Sequence, residues 1–221
     1  MTAGVRGICG IPDGRTEASE AVMDLKPIPL ANRFLTLAPL DEAHREELRL
    51  AVDADREIWD LYPFTMAGAA FDGAFARLLA EREAGRRFPY AVIVDGTCVG
   101  MTCYLNPDAR NRSVELGGTY YRPDQRGTRV NPAAKQLLIG HAFRSGAARL
   151  QFSIDRLNLR SCRAVERLGA VQEGVLRQDR ITWTGRVRDT VIYSILRSEW
   201  LQVDALLEAR LQGECSQPGA C

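Results

Sequence analysis

Histidine and lysine are almost missing from this 221-residue chain: His44 and His141 are the only imidazoles, and of the 29 Lys and Arg residues only Lys26 and Lys135 are lysine. Each histidine sits in an amphipathic pattern with no second ligand nearby, which argues against a histidine-centred triad and leaves a zinc site little to build on. Cys9, Cys98, Cys103, Cys162, Cys215 and Cys221 lack the short paired spacing of a metal cluster, so free buried thiols and no metal are expected. Long apolar runs are missing too. No window approaches ~18 apolar residues, and the stretch 1–30 holds no apolar secretion segment, which points to a cytoplasmic protein with no membrane partner. Net charge is equally scarce, since 29 basic against 28 acidic side chains leave +1. No global field steers the chain toward nucleic acid, and Arg177, Arg180, Arg186 and Arg188 are interspersed with acidic residues, so no nucleic-acid partner is expected. The preference for arginine reads as a codon bias.

What is present is the ordinary material of a core. Hydrophobic residues make up 46% and charged ones 26%, in a length that one domain can bury without disulfides or metal. Residues 1–30 carry Gly4, Gly7, Gly10, Pro12, Gly14, Pro27 and Pro29 with no sustained period and read as a flexible leader. The domain proper spans 31–200, and a C-terminal helix and tail fill 201–221. Phe34–Leu37 reads as a strand stopped by Pro39, Asp41 as the N-cap of a helix through Leu48, Leu50 and Val52, and 72–84 as a second helix stopped by Gly85. Apolar runs over 90–94 and 98–105 flank Asp95-Gly96, a strong hairpin signal. A third run, 113–121, follows the turn Asn106-Pro107-Asp108 and extends an antiparallel meander. Pro132 sits in the first turn of a helix, where proline is accepted. A strand over 149–154, a helix over 158–168, strands over 171–177 and 188–195 and a helix over 199–211 complete the chain. The fold class is α/β (α+β), a mixed, mostly antiparallel sheet flanked by helices.

Chemistry concentrates at two places. Gln125-Arg126-Gly127-Thr128-Arg129-Val130-Asn131-Pro132 joins a strand to a helix, and a glycine-containing turn that delivers unpaired N–H groups to a helix N-terminus suits a phosphate. Arg126 and Arg129 add charge there, while the Rossmann and Walker patterns are absent. After one further strand, Asn158-Leu159-Arg160-Ser161 opens the next helix with Asn158 as its N-cap. Taken singly, the first is also a common connection and the second a capped amphipathic helix.

In this order, together with Val114-Glu115-Leu116-Gly117, Arg167-Leu168-Gly169-Ala170, Glu173-Gly174-Val175-Leu176-Arg177 and Arg188-Asp189-Thr190-Val191, the span from Arg33 to Trp200 resembles the GNAT superfamily of acyl-CoA-dependent N-acyltransferases. It looks most like the Rim-type branch, which acetylates ribosomal-protein N-termini. The resemblance implies a GNAT-type single domain with acetyl-CoA as co-substrate. By the same likeness, amides of Arg126, Gly127, Thr128, Arg129, Val130 and Asn131 cradle the pyrophosphate, and the backbone of Thr119, Tyr120 and Tyr121 pairs with the pantetheine arm. Asn158 hydrogen-bonds that arm, Ser161 stands near the sulfur as general acid, and Glu115 takes the amine proton. Two places depart from the superfamily pattern. Arg129 and Asn131 stand where glycine and glycine or alanine are usual, and Val165 stands where many members carry a tyrosine.

Asp155, Asp179 and Glu173 are further base candidates. For the acceptor, Trp59, Tyr62 and Phe64 cluster among Asp55, Glu57 and Asp60, a combination that suits a cationic amine and equally a packed helix corner. The expected function is acetyl transfer from acetyl-CoA to a primary amine, a protein N-terminus or a small molecule, by direct transfer in a ternary complex. The alternative is a weak or inactive CoA-binding or protein-interaction module on the same fold. A homodimer is the default assembly, dimers being the commonest homo-oligomers.

Overall fold

In the computed structural model, residues 22–213 are described, and strands and helices alternate along them as the pattern requires. The strands are β1 (Leu30–Ala31), β2 (Thr36–Pro39), β3 (Arg87–Val94), β4 (Thr97–Asp108), β5 (Ser113–Tyr121), β6 (Arg149–Asp155), β7 (Val171–Ile181) and β8 (Val187–Leu196). They form one eight-stranded sheet in the order β1-β2-β3-β4-β5-β6-β8-β7. Every neighbouring pair is antiparallel except β5 with β6.

The period-2 alternation of strand side chains sends successive residues to opposite faces, and each face has its own helices. Ala91, Met101 and Cys103 pack with Leu48 and Val52 of α1 (Arg45–Asp53) and with Phe71, Phe75 and Leu78 of α2 (Phe71–Glu83). Tyr90, Val92, Tyr104 and Leu116 share the other cluster with Ala134 and Leu138 of α3 (Val130–Arg144), Val165 of α4 (Leu159–Glu166) and Val203 and Leu207 of α5 (Trp200–Gln212).

Several boundaries differ from the pattern-based expectation. The expected leader lies largely outside the described residues, but its last part is packed: Met23 and Leu25 are buried and the Asp24 amide donates to Ser145 O. The first substantial strand starts at Thr36 because the Asn32 side chain accepts from the amides of Phe34 and Leu35, which makes a turn there. Leu50 of α1 is exposed, and Ala51 takes its place in the core. Asn106-Pro107-Asp108 ends β4 rather than forming the turn, since Asp108 pairs with Ser113.

Among the described residues the one parallel pair, β5 with β6, matters most. It holds for three positions, from Ser113 opposite Arg149 to Glu115 opposite Gln151. Beyond them β5 and β6 have no ladder, and the sheet opens.

Candidate active site

A cleft of about 430 Å³ lies where β5 and β6 part, lined by β5, β6 and the N-terminal turns of α3 and α4. A bulge shapes its β5 edge: between the pairs Met101–Tyr120 and Cys103–Gly117, Thr102 alone stands opposite Gly118 and Thr119. Gly118 has φ +56, the left-handed region open to glycine at no steric cost. At Gly117 a Cβ would come within 2.9 Å of Leu105 Cδ1, so the missing side chain leaves room for Leu105, while Glu115 Oε1 at 3.6 Å would be in ordinary contact.

The loop into α3 is narrower in what it offers than six amides. Arg126 (ψ 140) and Gly127 (φ +75) have the dihedrals of the central residues of a type II turn, which needs glycine at the second place. The Arg126 amide is spent on Pro123 O and the Val130 amide on Thr128 Oγ1, so these two do not serve as free donors. The amides of Gly127, Thr128, Arg129 and Asn131 have no acceptor among the described residues. Arg129, at φ −70 and ψ −11, is already helical, so no glycine is needed where the superfamily usually has one. Its guanidinium lies 6.0 Å from the Phe34 ring, and neither it nor the buried Val130 side chain lines the cleft. Arg126 lines the cleft, pairs with Asp55 and donates through Nε to Tyr121 O at 2.9 Å, while its buried Nη2 has no partner among the described residues. The Thr119 carbonyl likewise accepts from the Tyr62 hydroxyl.

Asn158 caps α4 as expected, Oδ1 accepting from the Ser161 amide at 3.1 Å. That leaves its Nδ2 as a donor in the cleft wall with no acceptor among the described residues. Ser161 also lines the cleft, whereas Cys162 is buried, does not line it, and has its thiol pushed up by burial.

Glu115 faces the cleft beside Ser153. Burial raises its pKa, opposed by the Ser153 hydroxyl and by Arg180, Arg188 and Arg87. The other carboxylate candidates are taken. Asp155 lines the cleft but pairs with Arg186 and accepts from the Leu157 amide. Asp179 accepts from Thr190 and pairs with Arg180. Glu173 is held down at about 2 by its hydrogen bonds to Arg149 and Ser194.

Two of the three acceptor aromatics, Tyr62 and Phe64, line the cleft. Trp59 does not. It is 1% exposed, stacks on Tyr120 at 5.0 Å, and donates Nε1–H to Val52 O, so it belongs to the packed corner and not to the acceptor surface. Tyr120 is committed to the same corner, its hydroxyl donating to Ala51 O. Asp55, Glu57 and Asp60 are absent from the lining. Sequence reasoning missed Arg87, Arg160 and Lys135, all of which line the cleft. Lys135 is 6% exposed and donates to Thr119 Oγ1. Its signal was available: one of two lysines in the chain, one turn into the helix that follows the phosphate-type loop.

The family model for an acetyltransferase (GNAT) domain matches residues 35–171. Among solved structures, a putative acetyltransferase from T. thermophilus is 35% identical at a TM-score of 0.77, the match covering 86% of this chain and 100% of that one. A GCN5-related N-acetyltransferase from Brucella melitensis is 26% identical at 0.78, over 87% and 89%. The same fold is seen at 22% identity in Mycobacterium smegmatis RimJ in complex with CoA-disulfide, at 0.71 over 82% and 92%. None of the curated proteins matches this chain. Among the described residues no helix is long and apolar enough to cross a membrane. With its family model covering more than half its length and a solved relative at 35% identity, the chain belongs to the GNAT acetyltransferases and is an N-acetyltransferase.

Proposed function

We propose that the protein transfers the acetyl group of acetyl-CoA directly to a primary amine held in the same cleft. One observation carries this reading: the gap between β5 and β6 is lined together by the α3 N-terminus with its unpartnered amides, by Asn158 and Ser161, and by the half-buried Glu115. The amides of Gly127, Thr128 and Asn131, residues that line the cleft, suit the pyrophosphate at the positive end of α3. Asn158 Nδ2 suits a carbonyl of the pantetheine arm.

A neutral amine attacks a thioester readily once both are aligned, so positioning supplies much of the rate. The amine nitrogen bonds to the thioester carbonyl carbon, and the carbon–sulfur bond breaks. Glu115 takes the amine proton, directly or through a water, and the Ser161 hydroxyl hydrogen-bonds or protonates the departing thiolate. No acyl-enzyme is needed.

Acceptor choice follows from the walls. Tyr62 and Phe64 offer apolar surface, and Arg87, Arg180 and Arg188 stand around Glu115. Each of these guanidinium groups has its own carboxylate, Glu81, Asp179 and Asp155 in turn, so apolar contact rather than charge distinguishes acceptors, and a Rim-type peptide N-terminus with an apolar side chain is expected to outperform spermidine. The test is release of free CoA thiol from acetyl-CoA with each amine, for wild type and Glu115→Gln. Amine-dependent release that falls about 10²-fold in the variant supports the reading, in line with the usual worth of one general base. Release that ignores the amine or Glu115 contradicts it.

A further inference from the structure

Lys135 projects from α3 into the gap between β5 and β6, with Thr119 and Phe152 on either side of it. Its Nζ donates to Thr119 Oγ1 at 3.1 Å and lies 5.7 Å from the Phe152 ring centroid. Thr119 Oγ1 is itself 2.8 Å from Thr102 Oγ1, a contact created by the bulge at Gly118–Thr119, so backbone geometry fixes where the amine points. An ammonium carries three donors, and one is used. Among the described residues no carboxylate pairs with it, and burial pushes it down to about 8. A buried cation without an anion costs stability that an apolar side chain of the same length would not. The remaining donors therefore need an acceptor that the protein itself does not supply.

We propose that Lys135 is a donor-binding residue that hydrogen-bonds a carbonyl oxygen of the acyl-pantetheine arm inside the gap. The inference rests on acetyl-CoA entering that gap, as proposed above. It adds a side-chain anchor from the floor of the gap to the backbone and Asn158 contacts along its walls. Thr119 and Thr102 hold the amine in place for it.

The experiment is titration calorimetry of wild type, Lys135→Met and Lys135→Gln with acetyl-CoA, CoA and adenosine 3′,5′-bisphosphate, which keeps the nucleotide end and lacks the arm. Loss of a hydrogen bond to a charged donor is expected to weaken acetyl-CoA and CoA at least about tenfold in Lys135→Met. The bisphosphate should be unaffected, and Lys135→Gln should fall between. The melting temperature of ligand-free Lys135→Met should be no lower than wild type, because methionine removes an unpaired buried cation. Unchanged affinity for acetyl-CoA, or an equal loss for all three ligands, overturns the proposal. Failure of the donor reading shows separately, as wild-type protein that binds neither acetyl-CoA nor CoA.

Discussion

Glu115 combines two opposed influences, burial that raises its pKa and the hydroxyl and guanidinium groups that lower it, with burial prevailing. A base must be ionised to accept a proton. The rate should therefore fall on acidification through a value above the ordinary carboxylate pKa of about 4.3, and Glu115→Gln should remove that limb from the pH profile of kcat/KM; a profile that keeps it assigns the limb elsewhere. Cys162 is the opposite case: buried, absent from the cleft wall, its thiol shifted away from reactivity. Cys162→Ala should retain most activity, and intact mass should show no acetylated Cys162 after reaction. Asn158 has a double duty. Asn158→Ala removes the α4 cap, at about 1 kcal/mol of stability, and should also weaken acetyl-CoA binding; unchanged affinity would take Asn158 out of the donor site.

At the level of elements, the bulge in β5 is the device that opens the cleft. Gly118→Ala places a side chain at φ +56, roughly 1–2 kcal/mol of backbone strain, and should lower both the melting temperature and the affinity for acetyl-CoA; a fully stable, tightly binding variant would mean the bulge tolerates a side chain. The strand and helix pattern was largely legible in the sequence. Apolar alternation marks Ser113–Tyr121 as a strand, and Asn158 announces α4. What local patterning does not contain is partnership. Nothing in the residues of β5 and β6 says that their pairing stops after Glu115 and Gln151, because that depends on a bulge formed against β4. The same limit explains Trp59, whose aromatic neighbours suggest a binding surface until the packing on Tyr120 and α1 is known. It also explains Arg129, whose side chain matters less to the turn than its helical dihedrals.

For the molecule as a whole, ion pairs between distant segments couple stability to pH. Glu173 of β7 pairs with Arg149 of β6, and its pKa is depressed to about 2. A carboxylate depressed in the folded state stabilises at pH above its unfolded value, about 4.3, and that contribution is lost as pH falls toward 2. Glu173→Gln should therefore flatten the fall in melting temperature between pH 4 and pH 2 while leaving the cleft intact; an unchanged acid slope would assign the loss to other groups. The central claim, that the gap between β5 and β6 is the seat of an acyl-CoA, is tested most directly by thermal stability with acetyl-CoA, CoA, NAD and ATP. A ligand at ~100 times its dissociation constant adds about 2.7 kcal/mol to the folded state. The account predicts stabilisation by acetyl-CoA and CoA and little by NAD or ATP. No shift with acetyl-CoA or CoA at millimolar concentration would contradict it.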